Sequence, residues 1–527
     1  MRIVRNLLWA SCVASLLVGC GGGGSTGASV NNSTARGTLI ESPPLRTASV
    51  TATDFTAQLN ATASGQSLLQ VAGTPTCGVD FHYIQYATVG GAGEPTTSTG
   101  VLMIPTGSPS CTGARPIVLY AHGTATSKSY NLAAISDTTN AANGESALIA
   151  ATFAARGYIV VAPNYAGYDT SPLPYHPYLN ADQQSKEMID ALTAARSALG
   201  HVYASTTTDN HKLFITGYSE GGHVAMATQR AMENLNLTVT AAAPMSGPYA
   251  MEAFGDAVFF GNVNLGSTVF GPLLTTSYQK AYSNIYSLTT DIYSTAYATG
   301  IETLLPSLTP VATLFQQNKL PQTAFFNSVA PTTGGQNALL DALFPTITPP
   351  TTPAAQAPLF ALGFSASNYL INNNYRLAYV ADAATNPDGA VPTAVSGVPA
   401  TSPANTLRRA FKTNDMRNWV PKASVLLCGG HSDPTVYYNV NTQVMQAFWG
   451  KQTWIAPVPL QVVDVDGGSS PVGTLQLGFA QAEQATATAA VQAGATDGGT
   501  SAVTQAYHGT LVPPFCSAAA RTFFSQF

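Results

Sequence analysis

Short, mostly apolar segments that alternate with helical patterns constrain this chain most. Segments 116–121 (PIVLYA), 158–162 (YIVVA), 212–216 (KLFIT) and 239–245 each read as a buried strand. Between them, 145–156, 181–199 and 220–234 carry apolar residues at helical spacing, and Asn180 fits as the N-cap of the second. Strands apolar on both faces, interleaved with helices, predict a parallel sheet covered on both sides. The rhythm stops near residue 250. It resumes with a strand at 423–427 (ASVLL), a helix at 439–449 and a strand at 460–465. The stretch between is rich in Tyr, Phe, Leu, Thr and Pro. It reads as an insertion, because strands of the same domain follow it. The expected layout is an α/β core over 41–249 and 421–527, with a mainly helical cap over 250–420. The core has a β-rich start, with a hairpin of 81–89 and 97–105. A second, Ala/Thr/Gly-rich insertion at 467–505 is expected to be part helix.

Gly217-Tyr218-Ser219-Glu220-Gly221 fits the pattern G-x-S-x-G where a buried strand meets a helix. A sharp turn there strains the serine backbone and exposes its hydroxyl above the sheet. The helix N-terminus behind it favours developing negative charge. A nucleophilic serine needs a base, and the base needs a carboxylate to orient it. In a fold with this turn the chain order is Ser, acid, His. His82, His122, His176, His201 and His211 precede Ser219; His223 lies in the helix after it, and His431 beside the best acid. His508 is left as the base. The acid expected is Asp433, in the loop after the strand 423–427, with Asp464 and Asp466 as rivals at the end of the next strand. Two backbone N–H groups should stabilise the oxyanion, those of Glu220 and Thr124, with His122 as the rival for the latter. Segment 163–168 (PNYAGY) should lie near the rim.

Charged residues make up 9% of the chain and the net charge is -5, so no basic surface points to nucleic acid. A surface this poor in Lys and Glu fits an exported protein. Arg2 and Arg5 precede an apolar run over 7–18, too short for a comfortable membrane span. The run ends in Leu17-Val18-Gly19-Cys20, and a Gly/Ser tether follows. This resembles a lipoprotein signal over 1–20 with Cys20 as the lipidated N-terminus and a flexible tether over 21–40. No acidic retention residue follows Cys20. The expected location is therefore the outer membrane, anchored by lipid, or the exterior, as a monomer. Cys77, Cys111, Cys428 and Cys516 remain, an even number that suggests two disulfides. Three pairings are possible. Cys77 with Cys111 is favoured by proximity. Cys428 with Cys516 is favoured because it would tie the acid loop to the segment after His508.

YAHGT (120–124), APNYAGYDTS (162–171), GYSEGG (217–222), SGPY (246–249), GGHSDP (429–434) and YHG (507–509) together resemble the secretory lipase family, which includes fungal lipase A-type enzymes and bacterial relatives. The resemblance implies an α/β-hydrolase fold with a helical cap inserted after the sixth strand. It implies acyl-ester hydrolysis without a cofactor or metal, and matches Ser219, Asp433 and His508 to the triad. The 467–505 insertion departs from compact members of that fold. The expected substrate is an ester with an apolar or aromatic acyl part, either a simple ester or lipid, or a polyester or aromatic ester. A serine peptidase of the same fold is the alternative; no propeller-like repeat accompanies it.

Overall fold

The computed structural model describes residues 34–202, 205–390, 397–450, 460–467 and 473–527. The expected signal peptide, Cys20 and most of the tether lie outside the described residues. Nine strands form one sheet: β1 (Leu45–Val50), β2 (Gly78–Val89), β3 (Pro95–Thr106), β4 (Ala114–Ala121), β5 (Ile159–Pro163), β6 (Thr208–Tyr218), β7 (Ala241–Met245), β8 (Ser424–Gly429) and β9 (Leu460–Asp464). Their spatial order is β1-β2-β3-β5-β4-β6-β7-β8-β9. The first three strands and the β3–β5 contact are antiparallel; every pairing from β5 to β9 is parallel. The chain leaves β4 for β5 on one side and then crosses to β6 on the other. Such a switch opens a crevice at the carboxyl ends of the strands, where α/β sheets bind ligands.

The apolar strands explain the layering. Val118, Leu119, Val160, Val161 and Ile215 are fully buried between helices on both faces. Those helices include α3 (Asn143–Thr152), α4 (Ala181–Leu199) and α5 (Glu220–Asn234). Asn180 caps α4, its side chain accepting from the Gln183 N–H at 3.2 Å. Two elements differ from the expected β-rich start. Residues 52–72 form α1 (Ala52–Asn60) and α2 (Ala63–Ala72), capped by the Thr51 and Thr62 hydroxyls. Each buries only two or three residues, so its apolar stripe is thin. The helix expected over 145–156 ends at Thr152, and a single 3₁₀ turn follows before Gly157 takes a left-handed φ of 90°.

After β7 the chain enters a helical region with its own apolar cluster, which includes Phe259, Leu273, Tyr278, Phe326 and Tyr379. Its longer helices are α6 (Met251–Phe259), α7 (Ser267–Tyr282), α8 (Asn373–Thr385) and α9 (Thr406–Asn414). Arg408 on α9 is fully buried. It bonds Asp256 on α6 at 2.8 and 2.9 Å and Asp382 on α8 at 2.9 Å, so one guanidinium joins three helices. A buried cation demands this complete pairing, because an unpartnered one costs several kcal/mol.

The chain returns through β8, α10 (Thr442–Gly450), β9, α11 (Thr474–Gln492) and α12 (Thr500–Ala506), and reaches α13 (Val512–Phe524). Residues Tyr507–Leu511, between α12 and α13, form a π-helical turn. Cys77 pairs with Cys111 and Cys428 with Cys516, each with Cα atoms 5.6 Å apart. Ala35–Phe527 forms one compact unit.

Candidate active site

Ser219 lies between the last residue of β6 and the first of α5, with φ 61° and ψ -122°. A serine adopts that conformation only where its surroundings force it. The glycines do so. A Cβ on Gly217 would run into the Gly221 carbonyl, and one on Gly221 into the Ala121 carbonyl of the neighbouring strand. The turn can therefore pack flat against β4. The Ser219 N–H donates to the Met245 carbonyl of β7 at 3.0 Å, which locks it from the other side.

The hydroxyl oxygen of Ser219 is 2.7 Å from His508 Nε2. The other ring nitrogen, Nδ1, is 2.6 Å from Asp433 Oδ2. The second Asp433 oxygen accepts from the N–H groups of Thr435 (2.8 Å) and Val436 (3.0 Å), so the carboxylate is fixed in its own loop. Ser219 and His508 are each 9% exposed and Asp433 is 4% exposed, enough for access from one side only. His508 sits on the π-turn Tyr507–Leu511. The wider turn lets the imidazole leave a helical run sideways, and such turns recur at functional sites. The Tyr218 hydroxyl donates to the His508 carbonyl at 2.6 Å and holds that turn.

The rival acids are elsewhere. Asp464 accepts from His431 Nδ1 at 2.8 Å, and Asp466 from the Tyr507 hydroxyl at 2.8 Å. Neither faces His508 Nδ1, which Asp433 occupies. His122 is fully buried between Tyr130 and Tyr165, with ring centroids 4.4 and 4.0 Å away, so it packs the loop. Gly123 lies against Ser219: a Cβ there would come within 3.7 Å of the Ser219 Cβ. Its own N–H is committed to Glu145 at 3.1 Å. The N–H groups of Thr124 and of Glu220, the first residue of α5, meet no acceptor among the described residues. The Thr124 hydroxyl is 3.0 Å from that of Tyr178.

Glu220 has a second role that the sequence pattern does not disclose. Its carboxylate is buried beneath the turn, 2.6 Å from His176 Nε2 and 2.6 Å from Gln184 Nε2. A buried acid at the variable position after the serine requires such partners. His176, dismissed as a base, anchors the start of α5 from the other side.

A narrow cavity of about 100 Å³ opens from Ser219 and Glu220 into the helical region. Met251, Val258, Phe259, Phe270, Leu274, Phe325, Ile371 and Phe411 line it. Among the described residues no charged one other than Glu220 lines it, and the Glu220 carboxylate is turned away toward His176. Among the described residues no group of His, Cys, Asp or Glu could hold a metal ion.

A sequence profile of the prolyl oligopeptidase family matches residues 145–283, the span from α3 through the serine turn to α7. No curated protein sequence matches the chain. Among solved structures, the rice cell wall degrading esterase LipA from Xanthomonas oryzae is 27% identical. It matches with a TM-score of 0.60 over 83% of this chain and 92% of that one. A ligand-bound form of the same esterase is 24% identical, with a TM-score of 0.65 over 94% of this chain and 100% of that one. Lipase A of Candida antarctica is 13% identical, with a TM-score of 0.46 over 81% of this chain and 76% of that one. Matched by a hydrolase profile and superimposable on an esterase along nearly its whole length, the chain belongs to the α/β-hydrolase superfamily.

Proposed function

We propose that the protein is a serine hydrolase that cleaves carboxylic esters through an acyl-enzyme. His508 takes the proton of Ser219 as its hydroxyl attacks the ester carbonyl. Asp433 orients the imidazole and stabilises its cation. The Glu220 and Thr124 N–H groups receive the oxyanion, each donor lowering the barrier by about 3–4 kcal/mol. His508 then protonates the departing alcohol, and activates the water that frees the acid and restores Ser219.

The observation that carries this reading is the line of two short contacts, 2.7 Å from Ser219 to His508 and 2.6 Å from His508 to Asp433, at the mouth of an apolar cavity. The cavity suits an aliphatic or aromatic acyl group, whose burial contributes about 25 cal/mol per Å². The chemistry of the esterase relative points the same way. We extend the reading to an exported protein held at the outer membrane by a lipid on Cys20; two disulfides agree with an oxidising compartment.

The test is turnover of p-nitrophenyl esters of graded acyl length beside labelling by a fluorophosphonate. Ester hydrolysis that survives Ser219→Ala would refute the nucleophile. The prolyl oligopeptidase profile favours a second reading, a peptidase on the same fold. Faster cleavage of a proline p-nitroanilide than of the matching ester would establish it instead.

A further inference from the structure

The residues immediately before the base and before the acid are joined by one hydroxyl. Tyr507 precedes His508, and Ser432 precedes Asp433. The Tyr507 hydroxyl accepts from the Ser432 N–H at 3.2 Å and donates to Asp466 Oδ2 at 2.8 Å. Gly430 makes room for it, since a Cβ there would overlap the phenol oxygen. On the far side, Asp464 at the end of β9 accepts from the His431 N–H at 3.2 Å and from its ring at 2.8 Å. The acid loop is thus held to the end of β9 by His431 and to the base turn by Tyr507.

We infer that Tyr507 is a positioning residue for the proposed triad, its hydroxyl keeping the Asp433 loop and the His508 turn in register; the inference rests on the triad reading above. The ring itself is buried against Phe479, with centroids 5.5 Å apart, so packing alone could explain a tyrosine ring here but not its hydroxyl. A hydroxyl that accepts from one loop and donates to a carboxylate on another serves as a spacer of fixed length. Burial, helped by the Asp466 charge, pushes the phenol well above its usual range, so it stays a donor at any working pH. Catalysis is sensitive to this length. A displacement of about 1 Å in a reacting constellation costs on the order of 100-fold. Asp433 and His508 have no other direct link than their own 2.6 Å contact.

Tyr507→Phe keeps the ring and removes only the spacer. With p-nitrophenyl butyrate the expected result is a kcat loss of about 10–100-fold with KM unchanged. Placed in an Asp433→Asn background, the same change should add nothing, because the contact it positions is already gone. Parent-like kcat in Tyr507→Phe, or losses that multiply in the double variant, overturns the inference while leaving the triad intact. Parent-like activity in Asp433→Asn alone overturns the triad reading, and this inference with it. If Tyr507→Phe melts early, Asp466→Asn weakens the same hydroxyl's acceptor without opening the core. It must then reproduce the kcat-only loss; a KM effect or none at all overturns the inference.

Discussion

Ser219 is shaped by the strand and helix on either side of it, with a further bond to Met245 of β7, whereas His508 is held by residues 75 to 290 positions away. The serine turn needs β6 before it, α5 after it, and glycines at 217 and 221 that let it lie against β4. The base turn is held at its carbonyl by Tyr218, 290 positions away. It is held at its ring by Asp433, 75 positions away, and a disulfide spanning 88 positions lies just behind it. One half of the proposed site is thus a local motif, and the other is a tertiary assembly. A local motif breaks by a single clash. An assembly loosens when any one of several ties is cut.

The largest effect expected is the removal of the proposed nucleophile. Ser219→Ala should lower kcat with p-nitrophenyl butyrate by at least about 10⁴-fold while leaving the melting temperature near the parent value. Cutting the Cys428–Cys516 tie comes next. Replacing both by serine should cost about 2–5 kcal/mol in denaturant unfolding and lower kcat as well. The same replacement at Cys77 and Cys111, remote from His508 in the chain, should cost stability with kcat unchanged. Equal kcat losses for the two bonds would erase the distinction between the halves. Gly221→Ala tests the local half. One methyl driven toward the Ala121 carbonyl should destabilise the fold by about 2 kcal/mol or more and weaken fluorophosphonate labelling.

The smallest effect concerns pH. Burial alone would lower His431, but the hydrogen bond and charge of Asp464, with Asp466, outweigh it and hold the imidazole above its usual value. Burial, together with Asp466, pushes Glu483 up to about 7. Both groups bind protons more tightly in the folded state. The stabilisation from His431 is therefore present at low pH and lost as pH rises through its folded value, while Glu483 adds a burial penalty as it ionises with rising pH. The melting-temperature gap between the parent and His431→Gln should shrink from about pH 6 to about pH 9. A gap that widens over that range would show that His431 is not held as a cation.

The same division explains what could be read from the residues alone. Ser219 declares itself in five letters because a strand, a turn and a helix are all local. His508 follows from chain order, since no other histidine lies beyond the acid loop. Its π-turn does not, because the contacts at it, from Tyr218 to the His508 carbonyl and from Tyr507 to Ser432, join residues far apart in sequence. Glu220 could be named for its N–H, yet its pairing with Gln184 of α4 and with His176, just before that helix, is a tertiary contact. The helices at 52–72 were hidden for another reason. Phe55 and Leu59 on α1, and Leu68 and Ala72 on α2, make too narrow a stripe to stand out from a β-rich setting. The Thr51 and Thr62 caps were the available signal.

The spacing of the two halves also sets when the proposed site can first assemble during synthesis. Ser219 and His508 are 289 residues apart. At about 5–20 residues per second, the ribosome delivers the serine roughly 15–60 s before its proposed proton acceptor. Over that interval the growing polypeptide carries an alcohol with nothing to activate it. Cys428 and Cys516 then remain thiols until an oxidant joins them, which a reducing cytosol disfavours. The proposed site can therefore be complete only after the last of these residues has been made, and its 428–516 tie closes later still, when the two thiols are oxidised.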